Sequence, residues 1–369
     1  MRFFQKITTA AEKVVDLLQF PLRTEAYCKF FLLAAGVFFA GCILLVFFVD
    51  PYLHYHRAIG LKQVYGRSVA MLPGLFKHEN FDTVLFGSSM AQNFDISEID
   101  QKFNCRSIKA TSAGLPAETL SVYIEKAVAA KGRKLKRCFI CLDFWAFNKE
   151  NVRLHDAYKY LYTDSFFVPE YFFSIDSLEA VYNAVLTNIV YPFDRTARHE
   201  LDRNKMFANK PFRYKYGRKY LERTIRRDAA AIPVPGKNIR KNLEKYLFRH
   251  IRQNPDIRFD VFLPPYSIYF WCMTQKQGTA EMYLQLRCDL AEELKKLPNA
   301  ELHDFQHETS VICNLENYKD CTHYSPEINS LIVKMLAEKK FSSPDIFADN
   351  AQLRQAVKKH YPEFLKLLK

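Results

Sequence analysis

A chain of 369 residues, 49% hydrophobic and 15% aromatic, carries enough apolar side chain for one large buried core or two, which excludes a disordered or fibrous protein. Its net charge of +13 calls for an anionic partner, and on charge alone nucleic acid, a membrane surface and an acidic glycan all qualify. Nine cysteines are too few for a disulfide scaffold, and there is no internal repeat or low-complexity tract.

Residues 1–29 form a basic lead, in which Arg2, Lys6, Lys13, Arg23 and Lys29 outweigh Glu12, Asp16 and Glu25. Within it, residues 9–22 space Ala, Val, Leu and Phe as an amphipathic helix on the inner membrane surface would, and a solvated basic segment fits equally well. Residues 30–49 are an unbroken apolar run, and about 20 residues rising about 1.5 Å each cross roughly 30 Å of hydrocarbon. The run starts too late for a cleaved signal peptide. Ala40-Gly41-Cys42 matches a lipoprotein site only weakly, because the apolar core continues beyond it through Val49. The run reads as a transmembrane helix. The positive bias ahead of it puts the N-terminus in the cytoplasm, the remainder outside, and nucleic acid out of reach, in a single-pass protein of the kind found in a bacterial cytoplasmic membrane.

Asp50-Pro51-Tyr52-Leu53-His54-Tyr55-His56 breaks that helix, and residues 50–80 read as a juxtamembrane stalk whose two histidines suit interfacial anchoring better than metal binding. An α/β pattern then fills residues 81–340. Strands are expected over 83–87, 105–110, 137–143, 259–263 and 301–305, with helices over 95–103, 117–130, 279–296 and 326–338. Strands alternating with helices imply a parallel sheet, right-handed crossovers and helices on both faces.

An insertion at about 150–257 interrupts the pattern. Residues 158–193 are aromatic and helical in character. Residues 195–253 hold 18 Lys or Arg against 5 Asp or Glu, an excess equal to the charge of the whole chain, with Tyr214, Tyr216, Tyr220 and Tyr246 interleaved. Such a surface suits an anionic polymer or lipid headgroups, or it is simply a solvated helical face. Residues 341–369 end the chain; from 348 onward they read as a basic amphipathic helix that packs on the sheet or the membrane and carries no chemistry.

Two short stretches carry the chemistry. Thr83-Val84-Leu85-Phe86-Gly87-Ser88-Ser89 runs a strand into a sharp turn, and Asp95-Ile96-Ser97-Glu98 then offers a helix start. A serine at such a turn stands free of the sheet among outward N–H groups, which suits a nucleophile; an ordinary βα turn also favours Gly and Ser. Far downstream, Asp320-Cys321-Thr322-His323 sets a carboxylate three residues before an imidazole, a spacing that lets one orient the other.

Together these stretches resemble the SGNH, or GDSL-like, hydrolase superfamily, in which a first block ends a strand in Gly-Asp-Ser, here Gly87-Ser88-Ser89, and a last block is Asp-x-x-His, here Asp320 to His323. The resemblance covers roughly residues 50–150 and 258–340. It implies an SGNH-like, flavodoxin-like parallel sheet, Ser89 as nucleophile, His323 as base and Asp320 as its orienting carboxylate. It further implies Gly114 as an oxyanion-hole glycine beside the Ser89 N–H, and no cofactor or metal. The third block departs from the family: Gly-x-Asn-Asp is replaced by Leu142-Asp143-Phe144-Trp145-Ala146-Phe147-Asn148. Asn148 becomes an oxyanion donor only if the loop folds back, and Asp143 is left to orient substrate or cap the turn. Variant third blocks and a leading transmembrane helix are similar to the membrane-anchored relatives that work with membrane-bound O-acyltransferases in alginate O-acetylation and teichoic-acid D-alanylation. The implied activity is a serine O-acyltransferase or esterase on cell-surface polysaccharide, and the alternative is an inactive scaffold of the same fold that binds an envelope polymer or an acyltransferase.

Cys28 and Cys42 go with the membrane segment, which leaves seven cysteines beyond it. Cys313 and Cys321 flank the loop bearing His323 and are placed to close it, whereas Cys138 and Cys141 face opposite ways in a strand. No Cys pair has zinc spacing.

Overall fold

Short runs of branched and aromatic residues, each leading through a turn into a helix, pair into one sheet. The computed structural model describes residues 24–66, 68–148, 156–163, 165–193, 201, 215–228, 234–236, 238–338 and 346–368. Its strands are β1 (Thr83–Gly87), β2 (Ser107–Thr111), β3 (Arg137–Cys141), β4 (Arg258–Leu263) and β5 (Ala300–Asp304). They lie in the order β2-β1-β3-β4-β5, and every pairing is parallel. All five residues of β1 are buried, as a strand covered by helices on both faces must be. The chain builds outward from β1 in both directions, so the loops after β1 and β3 part and leave a crevice at the carboxyl edge. Gly87 pairs with both Thr111 and Cys141, which brings β1, β2 and β3 to that edge at one level.

Local chemistry accounts for the small shifts in element ends. The helix after β1 spans Ile96–Phe103, capped by Asp95 Oδ1 on the Ser97 N–H at 2.7 Å. Asn104 closes it in the left-handed region at φ 49° and uses up the residues expected to open β2. The helix after β2, Ala117–Lys131, ends at Gly132 with φ 51°. β3 stops at Cys141 rather than 143, because Phe144–Phe147 form a 3-10 turn.

The apolar run is helical from Thr24 to Val49, longer at its start than residues 30–49, and its 24-residue stretch Ala26–Val49 is long and apolar enough to cross a bilayer. This supports a single-pass membrane protein. The amphipathic helix expected over 9–22, and residues 195–200 and 202–214 of the basic stretch, lie outside the described residues. Residues 50–80 are no extended stalk: Tyr52 and Leu53 are buried, and the helix Ser68–His78 puts Leu72, Leu75 and Phe76 into the core. Asp50 explains the reversal. Its buried carboxylate accepts from the N–H groups of His54 and Tyr55, both at 2.8 Å, and of His56 at 2.6 Å, and also from the Tyr171 hydroxyl. Four donors on one carboxylate lock the chain leaving the membrane against the domain.

The C-terminal helix, Ile346–Leu367, packs on other helices, with Phe364 against Tyr269 at 5.6 Å. Arg287, fully buried, reaches Asp304 Oδ2 at the end of β5 through Nε at 2.8 Å and Nη2 at 2.6 Å, and reaches Asn350 of the C-terminal helix through Nη1 at 2.6 Å. Asp304→Ala would strand that guanidinium away from water and is expected to destabilise the fold by about 3–5 kcal/mol in chemical denaturation.

Candidate active site

Gly87 ends β1 where the backbone of the turn passes very near β3. A Cβ there would stand 2.6 Å from Ala91 Cβ and 2.8 Å from Cys141 Cβ, so glycine is required for the 3-10 turn Ser89–Ala91 to sit so close to the sheet. Ser88 caps that turn, its Oγ accepting from the Met90 N–H at 3.2 Å while donating to Asp143 Oδ2. Ser89 follows, half-buried. Among the described residues no group accepts the Ser89 N–H.

His323 comes from the loop between β5 and the helix Pro326–Ala337. That loop is closed by backbone bonding between Tyr318 and Tyr324, with Lys319 N donating to His323 O at 3.1 Å. Cys313 and Cys321 do not close it: both thiols are free. Tyr318 Oη donates to Pro265 O at 2.9 Å, and Ser267 Oγ to Cys321 O at 2.8 Å, tying the loop to the segment leaving β4. Tyr324 Oη donates to Met90 O at 3.3 Å and ties the same loop to the serine turn.

The result is a hydrogen-bonded row of three side chains. Ser89 Oγ lies 2.8 Å from His323 Nε2, and His323 Nδ1 lies 2.9 Å from Asp320 Oδ2. Asp320 Oδ1 also accepts from the backbone N–H of Thr322 at 3.0 Å and of His323 at 2.8 Å, which fixes the turn that presents the imidazole. Burial pushes the Asp320 carboxyl up, but the hydrogen bonds and charge of His323 and the two N–H donors outweigh it and hold the group at about 2, below its ordinary 3.8.

Asp143 behaves oppositely. Burial raises it to about 6 from 3.8, against the Ser88 and Tyr266 hydroxyls and the charge of His323. Its oxygens accept from Ser88 and Tyr266, and it is buried beneath the serine turn, so it stands under the site rather than facing substrate. Asn148 is likewise drawn away. Its Nδ2 donates to Val234 O at 3.0 Å and its Oδ1 accepts from the Gly236 N–H at 2.8 Å, a clamp on residues 234–236, and no hydrogen bond joins it to Ser89 or His323 among the described residues. Gly114 sits on the loop leaving β2, beside β1, at φ 61° with no heavy atom within 4 Å of where its Cβ would stand, so that loop is open toward solvent. The sequence reading did not single out Tyr266 or Tyr324; the position of Tyr266 just past Pro264-Pro265 at the carboxyl end of β4 was the available signal.

One other donor cluster occurs among the described residues, Asp260, Glu301 and His303 on one face of β4 and β5. Arg258 pairs with both carboxylates and Arg137 with Asp260, so guanidinium groups already supply the positive charge there. On the basic insertion, Arg218 pairs with Glu222 and Glu363, Arg240 with Asp289, Arg249 with Glu125 and Arg252 with Glu244, which leaves less charge for an outside anion. Compared with known families and with curated proteins, the chain matches no family model and no curated sequence.

Two outcomes follow from this geometry. Gly87→Ala should destabilise the protein by about 1–3 kcal/mol in thermal or chemical unfolding, because the added methyl forces the serine turn off the sheet. Because the folded value of Asp320 lies below its unfolded one, its contribution is complete above about pH 4 and is lost as pH falls through about 2. Asp320→Asn should therefore remove about 2 kcal/mol at pH 7 and flatten the acid limb of stability, measured by urea denaturation across that window.

Proposed function

We propose that this chain is a membrane-anchored serine acyl-transfer enzyme of the SGNH type, an O-acyltransferase or esterase whose substrate is a cell-surface polysaccharide. The observation that carries the reading is the unbroken contact from Ser89 Oγ through His323 to Asp320. The strand order, with the serine after β1 and the Asp-x-x-His loop after β5, agrees with that superfamily's flavodoxin-like arrangement.

In this reading Ser89 Oγ attacks an acyl carbonyl as its proton passes to His323 Nε2, a transfer worth about 10²–10⁴ in rate. Asp320, ionised and bonded to Nδ1, keeps Nε2 free to accept. The tetrahedral oxyanion is held by the Ser89 N–H and by the backbone at Gly114, and each such donor is worth about 2.7–4 kcal/mol. His323 then protonates the leaving alcohol, and a sugar hydroxyl or water resolves the acyl-serine. Asp143, through Ser88 and Tyr266, is a positioning residue for the turn. In this reading the positive charge ahead of the membrane helix orients the domain outside the cytoplasm, where a membrane-bound O-acyltransferase would be its acyl donor or acceptor partner and the basic insertion would meet an anionic glycan or lipid headgroups.

A second reading, a scaffold of the same fold without activity, draws on Asn148, whose amide is engaged with residues 234–236. A fluorophosphonate probe separates the two. The full chain in detergent should label, Ser89→Ala should abolish labelling and lower aryl-ester turnover by about 10³-fold or more, and Ser88→Ala should still label, more slowly. Absence of both labelling and turnover in the intact protein would leave the scaffold reading.

A further inference from the structure

The helix Ile175–Val190 has three distinct faces. Ser177, Val181 and Ala184 are buried against the protein. A polar face, Asp176, Glu179, Asn183 and Thr187, lines a cavity of about 430 Å³ together with Pro51 and Tyr52. The third face, and the turn that continues it, carries Ile175, Leu178, Tyr182, Leu186, Ile189 and Phe193, recurring every three or four residues as one stripe. Leu178 is half-buried against the core, and the rest of the stripe points away from it: Ile175 is 83% exposed, Ile189 62% and Phe193 89%. Phe166 and Phe167, ahead of the helix, are exposed as well. A folded domain that met only water would not display so continuous an apolar surface.

Its position says what covers it. Phe173, in the short helix Pro169–Phe173 just before the stripe, packs edge-on against Phe39 of the membrane helix, ring centroids 5.4 Å apart. A span of about 20 residues placed anywhere within Ala26–Val49 leaves Phe39 roughly 9–15 Å inside the hydrocarbon. Phe173 therefore cannot lie in the aqueous phase if the helix spans. These two helices are also fastened where the membrane helix ends: Tyr171 bonds to Asp50, Tyr52 Oη to Asp176 O at 3.1 Å, and Asn188 exchanges hydrogen bonds with the Lys62 backbone at 2.8 and 3.0 Å. Lys62 Nζ sits 3.7 Å from the Tyr191 ring centroid, the basic and aromatic pairing that suits a membrane boundary.

We infer that residues 165–193 form a second membrane-contacting element, two consecutive helices dipped beside the transmembrane helix, with the apolar stripe covered by lipid acyl chains of the leaflet next to the folded domain. The polar face keeps its carboxylates at the 430 Å³ cavity while the stripe meets lipid, the division expected of a helix lying in an interface. The inference is independent of any chemistry at Ser89.

The test uses the full chain in vesicles of phosphatidylcholine, with and without bromine on the acyl chains. Ile189→Trp and Phe193→Trp are exposed substitutions that leave the core untouched, and each should lose most of its added emission to bromine while resisting aqueous iodide. Met282→Trp, at a position 45% exposed on the helix Ala280–Lys295, which packs on β5 and the C-terminal helix, should respond to iodide and not to bromine. If both stripe tryptophans are quenched by iodide and untouched by bromine in these lipid-only vesicles, the inference is overturned, and the face is either bare or reserved for another protein's helix.

Discussion

The carboxyl edge of the sheet depends on one hydrogen bond, from Ser89 Oγ to His323 Nε2, made between residues 234 positions apart. Neither partner is held by its own element alone. The serine turn is pinned from below by Ser88 on Asp143 and pressed to the sheet by the missing side chain at Gly87. The imidazole is fixed by Asp320, which gathers its ring and two backbone N–H groups, and Tyr324 joins the two turns directly. Two carboxylates of the site thus take different parts. Asp320, supplied with donors from an imidazole and amides, stays ionised far into acid, whereas Asp143, supplied only with hydroxyls in a dry site, is raised to about 6.

At the membrane exit Asp50 has a comparable role. A carboxylate with no exposed surface gathers three successive N–H groups and a tyrosine hydroxyl, and so turns the chain sharply at the membrane exit. The same tyrosine belongs to the short helix whose Phe173 touches Phe39, so the element that orders the exit also rests against the membrane helix. A domain joined this way has restricted freedom relative to the bilayer, unlike one carried on an extended stalk.

Much of the architecture was legible residue by residue. The membrane helix is a property of twenty neighbouring side chains, and the sheet follows from strand and helix periods that alternate along the chain; both are local, and the structure moved their ends by a few residues only. Where ends moved, a particular residue was responsible, as with left-handed Asn104 shortening β2. The candidate site was legible to the extent that its residues lie in short, recognisable stretches: Ser89 at a strand end, Asp320 and His323 three apart. Asp143 and Asn148 were not legible as to role, because a side chain's partners come from other strands. Asp143 is turned under the serine by Tyr266, 123 residues away, and Asn148 is engaged by Gly236, 88 residues away.

The amino-acid sequence by itself determined the membrane helix, the alternating α/β pattern and the residue types at two turns, because periodicity and turn preference act over a few bonds. Only the tertiary structure decided that those turns meet, that the exit segment folds back, and that one helix keeps an apolar stripe outside the core. Those outcomes depend on strand order, flush register at Gly87 and the buried carboxylates, each of which joins residues that the linear chain holds far apart.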